Sequence, residues 1–157
     1  MNKSVRLAQI YDIMKEKLDN GGDVIFNPHG ISMLPILRND GDRVVIRKKD
    51  GRLDKHDMAF FRRDNGQFVL HRVIKVNSDS YDMCGDNQSY IEKNVREDQI
   101  IAYVTGIYRG DKYISCDNKQ YLLYVKIWTK GRFIRKIRDK TKGLLRKIKQ
   151  KISKSKM

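Results

Sequence analysis

Near the start of the chain, apolar side chains at Val5, Leu7, Ile10, Tyr11, Met14 and Leu18 recur at helical spacing. This predicts one amphipathic helix over Ser4–Leu18, stopped by Asn20-Gly21-Gly22. From Asp23 to about Ser115 the pattern changes to short β-branched and aromatic runs separated by Gly, Asn and Asp. The strands predicted there are Asp23–Phe26, Arg43–Arg47, Met58–Arg62, Gln67–Val76, Ser80–Met83, Ile100–Tyr108 and Lys112–Ser115. Asp64-Asn65-Gly66 marks a tight hairpin, because Asn-Gly tolerates the positive φ such a turn requires. Arg109-Gly110-Asp111 marks a second. Past Gln120 the helical period returns: Tyr121–Trp128 is mostly apolar, and Phe133, Ile134, Ile137, Leu144, Leu145, Ile148 and Ile152 continue a stripe. Gly143 weakens that helix by about 1 kcal/mol relative to Ala.

Many short strands joined by hairpins imply a mainly β fold, a small barrel or a coiled sheet. The predicted division is an N-terminal helix and linker over 1–22, a β domain over 23–120 and a basic amphipathic C-terminal helix over 121–157. At 157 residues and 39% hydrophobic content, the chain is long enough to bury one real core.

Charge sharpens this division. Lys126–Met157 holds 14 Lys or Arg and one acid, a net +13, whereas everything before it holds 20 basic and 18 acidic residues, a net +2. An electrostatic partner would therefore meet the C-terminal segment. Lys and Arg there alternate with an apolar stripe, the pattern of a helix lying on an anionic membrane surface. Nucleic acid would use the charge but not the stripe, and is not expected as a partner. Cys84 and Cys116 are too few for a disulfide framework and lack metal-ligand spacing. The N-terminal stretch contains acids and no continuous apolar run, so it does not read as a signal peptide. Nothing approaches the roughly 20 apolar residues of a membrane span. A cytoplasmic location is expected, with peripheral attachment to the inner membrane face through the tail.

The chemistry concentrates in four places. Gly30-Ile31-Ser32-Met33-Leu34-Pro35 follows a strand, and its Gly and Pro fix a turn that presents the Ser32 hydroxyl, with a backbone amide free for an oxyanion. Gly41-Asp42 feeds the next strand. His71-Arg72-Val73 puts a histidine in an otherwise apolar strand, and Gly85-Asp86-Asn87 closes another.

Together and in this order, these elements resemble type I signal peptidases, over roughly Phe26 to Gly106. The resemblance implies a serine endopeptidase without metal or cofactor, acting on a peptide or precursor protein. Ser32 would be the nucleophile and His71 the general base, as in the endoplasmic-reticulum and archaeal branch, while Gly30, Met33 and Pro35 shape the turn and oxyanion site. Asp86 is the first candidate to orient His71, and Glu92, six residues on, is the alternative. The family's second Gly-Asp turn stands here as His56-Asp57. His56 and His29 read as solvated loop residues, His29 close enough to touch substrate. Self-cleavage domains of SOS repressors share this fold, so a self-cleaving regulator is the alternative function. Those domains use Lys as base behind a DNA-binding helix-turn-helix, where this chain has His71 and one short helix. A catalytically silent peptide-binding homologue is a further alternative.

Overall fold

The structure, a computed structural model, describes residues 3–39 and 41–131, with side chains from Ile10 onward. Helix α1 (Lys3–Asp19) precedes seven strands: β1 (Val24–Phe26), β2 (Asp42–Arg47), β3 (Met58–Arg62), β4 (Phe68–Val76), β5 (Ser80–Cys84), β6 (Glu92–Arg96) and β7 (Ile100–Arg109). A hairpin to β8 (Lys112–Ser115) and helix α2 (Lys119–Lys130) complete the described chain. The strands form one antiparallel sheet ordered β1-β2-β7-β3-β4-β5-β6. β8 pairs with the second half of β7, and the sheet does not close into a barrel. The mainly β reading from sequence therefore holds, in its coiled-sheet form.

Both faces of the sheet are covered, which explains the continuous apolar run of β3. Met58 and Phe60 join one core with Met14 and Leu18 of α1, Met33, Leu37, and Tyr121 and Val125 of α2. Ala59 and Phe61 alternate onto a second core with Leu53, Val73, Tyr81, Met83 and Val95. In β7, Val104 and Ile107 face the same core despite their odd spacing. A bulge accounts for this: Val45 pairs with Gly106 and Ile46 with Val104, so Thr105 is the extra residue that turns the following side chains over.

Two features depart from the sequence reading. β6 was not expected; four of its five residues are polar and only Val95 is buried, so it carries no apolar pattern to detect. Ile10, placed on the apolar stripe of α1, is 50% exposed. The stripe expected beyond Gly131, and with it most of the basic tail, lies outside the described residues. Among the described residues no helix is long and apolar enough to cross a membrane.

Candidate active site

Ser32 sits in a loop between β1 and β2 that coils from Ile31 to Leu37, with hydrogen bonds from Leu34 N–H to Ile31 O and Leu37 N–H to Met33 O. The four sequence elements converge on this loop. Gly30 has φ +115°, a region that only glycine occupies readily, and its N–H donates to Asn39 Oδ1 at 2.8 Å. Met33 and Leu37 are buried anchors.

Asp42, also buried, holds the far end of the loop. It accepts from Arg38 N–H at 2.9 Å and from the Arg109 guanidinium at 3.2 and 2.8 Å. Burial alone would raise its carboxyl pKa, but the Arg109 and Arg38 hydrogen bonds outweigh that and hold it below the ordinary range.

Gly85-Asp86-Asn87 grips the loop at Ser32 itself. Asn87 N–H donates to Ser32 O at 2.7 Å, and Asn87 Nδ2 to Ile31 O at 3.1 Å. A Cβ on Gly85 would lie 2.7 Å from that same Ser32 oxygen, so the two chains approach as closely as only glycine permits. The loop is thus fixed by backbone and side-chain bonds on three sides.

Ser32 and His71 line one cavity of about 310 Å³, together with His29, Arg38, Arg63 and Gln88. The Ser32 hydroxyl makes no hydrogen bond among the described residues, and neither Ser32 N–H nor Met33 N–H has an acceptor there. His71 is buried on β4, tilted against the Phe61 ring at 6.1 Å. Its burial pushes the imidazole pKa down to about 4; Glu92 and Asp86 pull it upward and Arg63 pushes it further down. At neutral pH the ring is therefore uncharged and able to accept a proton.

The carboxylate brought against His71 is Glu92. Its Oε2 lies 3.7 Å from His71 Nδ1, a buried nitrogen without a hydrogen-bond partner. Closure by roughly 0.8 Å would make a hydrogen bond. Asp86, the first candidate for this role, is turned the other way. Both of its oxygens are taken by buried Arg72, Oδ1 from Nε at 2.8 Å and Oδ2 from Nη2 at 2.6 Å. The reason is alternation along β4: neighbouring residues face opposite sides of the strand, so an acid that pairs with Arg72 lies away from His71.

Arg63 was not singled out in the sequence, where it falls between the strand Met58–Arg62 and the Asp64-Asn65-Gly66 turn. Its guanidinium donates to both Glu92 oxygens at 2.6 Å and to Gln67 Oε1 at 2.6 Å, so it fixes the carboxylate that faces His71.

His56 also departs from expectation. It adopts φ +85°, the left-handed region that favours glycine, and its Nδ1 is buried without a hydrogen-bond partner. Burial, Lys55 and Arg72 lower its pKa. Its carbonyl accepts from Arg72 at 2.9 Å, so it belongs to the packing around that arginine and not to a solvated loop. His29 is exposed at the cavity rim, as expected.

No known family model matches the chain. Over 107 residues it is 28% identical to the LexA repressor of Leuconostoc mesenteroides subsp. mesenteroides, a stretch covering 68% of this chain and 50% of the repressor. The chain thus spans about half the length of the curated relative it matches. The similarity lends distant support to a repressor-type, peptidase-like domain, on the repressor side of the resemblance seen in the sequence and not on its signal-peptidase side.

Proposed function

We propose that this chain is a peptidase-type domain of the serine class, cleaving a peptide bond by acyl transfer to Ser32. The observation that carries the proposal is the shared cavity of Ser32 and His71, with Glu92 near the His71 Nδ1 and held by Arg63. Ser32 Oγ attacks the scissile carbonyl carbon and its proton passes to the cavity-facing nitrogen of His71. The carbonyl oxygen, now an oxyanion, takes hydrogen bonds from Ser32 N–H and Met33 N–H. His71 then gives the proton to the leaving amine, and water repeats the sequence to release the acyl group. Glu92 holds Nδ1–H and stabilises the imidazolium as it forms.

Two readings of the substrate follow, each with its own support. The 28% identity to LexA repressor favours cleavage of a bond in the same polypeptide, as in a self-cleaving regulator, and is the better supported. The imidazole base and the four ordered motifs favour a precursor or leader peptide cleaved in trans. Purified protein, incubated over a wide range of its own concentration, separates the two. Self-cleavage in cis gives fragments at a rate independent of concentration, absent from Ser32→Ala. Cleavage in trans leaves the chain whole and turns over added peptides. Neither fragment nor turnover, in protein shown to be folded, would leave a silent peptide-binding domain and reject the enzymatic proposal.

A further inference from the structure

Helix α2 starts at Asn118, whose side chain accepts from Gln120 N–H at 2.8 Å. Among the described residues it is fastened to the domain along one side. Tyr121 and Val125 are buried, Arg72 donates to Tyr121 Oη at 3.3 Å, and Trp128 Nε1 donates to Asp86 O at 2.9 Å. The opposite side carries Leu123 and Ile127, 60% and 63% exposed, with Leu122 at its margin at 39%. Exposed Lys119, Lys126 and Lys130 lie among them. Two large aliphatic side chains held in water between three lysines gain nothing from the fold, since exposed apolar surface is an unfavourable state unless something covers it.

Charge decides what that cover is. Residues 132–157 add 12 Lys or Arg and one Asp, so the chain's own tail carries the same sign as the lysines on α2. A cover must be anionic and also offer an apolar layer. Nucleic acid supplies only the first; an anionic bilayer supplies both, taking aliphatic side chains below the headgroups while lysines stay at the phosphates.

We infer that the exposed face of α2 docks the protein on an anionic lipid surface. The anchor shares a turn with the site: Asp86 O receives the Trp128 bond, and the next residue, Asn87, holds Ile31 O and Ser32 O. The docking helix is therefore tied to the turn that holds the Ser32 loop. None of this depends on the catalytic reading, because vesicle binding is measured without a substrate.

The test is co-sedimentation of the full chain with phosphatidylcholine vesicles and with vesicles containing roughly one-third phosphatidylglycerol. Binding is expected only to the anionic vesicles, and is expected to fall at about 1 M salt, where screening shortens to ~3 Å. The exposed-face variant L123Q/I127Q keeps every charge and is expected to bind at least about tenfold more weakly, with an unchanged melting midpoint. The charge variant K119Q/K130Q is expected to weaken binding by roughly tenfold or more. Equal binding to neutral vesicles, or full binding by L123Q/I127Q, would overturn the inference. So would salt-sensitive retention on duplex DNA without vesicle binding, which would assign the tail to nucleic acid.

Discussion

Two carboxylates lie near His71, and their different partners give them different jobs. Glu92 faces the imidazole and is shared with Arg63; Asp86 neutralises Arg72, a guanidinium only 1% exposed. Glu92→Gln is therefore expected to lower turnover on the order of 10²-fold with the fold intact. Asp86→Asn acts on stability instead: it strands a buried cation and costs about 3–5 kcal/mol, measurable as a lowered denaturation midpoint. A strong rate loss with unchanged stability in Asp86→Asn would return the orienting role to that residue. Arg63→Ala carries a distinct signature. Removing the cation nearest the pair is expected to raise the His71 pKa from about 4 and to move the acidic limb of the pH–rate profile upward with it. Arg63→Lys restores this only in part, since an ammonium cannot bridge both carboxylate oxygens. That Ser32 and His71 share one cavity was legible in the sequence because motif order survives without coordinates. The Glu92–Arg63 pairing was not, because it joins residues 29 apart through a strand that has almost no apolar signature.

At the scale of elements, the turns do the positioning. The strands legible in the sequence end within a residue or two of where they were expected, for example Met58–Arg62 and Lys112–Ser115. Their apolar runs face two cores, whereas β6 offers one buried valine and escaped notice. The segment around His56 shows what the motif comparison alone could not: the backbone there demands a positive φ, so the Gly of the related turn is replaced at a steric cost. His56→Gly is expected to raise stability by about 1 kcal/mol, read from urea denaturation, with catalysis unchanged. Gly85→Ala tests the opposite case. The added methyl would meet Ser32 O at 2.7 Å, so the nucleophile loop must shift. A stability loss of about 1–3 kcal/mol is expected together with a disproportionate fall in kcat/KM. Retention of full activity would mean that the Gly85–Asn87 turn does not set the position of Ser32.

Across the whole molecule, a buried neutral imidazole makes stability depend on pH. His71 has a folded pKa of about 4 against an ordinary 6.5. Between those values the unfolded chain binds a proton that the native one refuses, so stability falls as the pH is lowered from about 6.5 to about 4. The loss is on the order of 3 kcal/mol in all, at about 1.4 kcal/mol per unit, and it levels off below the folded pKa. Above pH 6.5 His71 contributes no slope. His56, whose pKa is also lowered, adds in the same direction. Asp42 is held below 3.8, so its contribution is present above that range and is lost only at more acidic pH, outside the histidine window. Urea denaturation of wild type and His71→Gln at intervals from about pH 7.5 to about pH 4 isolates the effect, because the slope is compared and any constant offset from the substitution drops out. His71→Gln is expected to lose most of the slope, and His56→Gln on the same background to remove the remainder. An unchanged slope in His71→Gln would mean that the ring is hydrated and charged in the native state, and the neutral base on which acyl transfer depends would go with it.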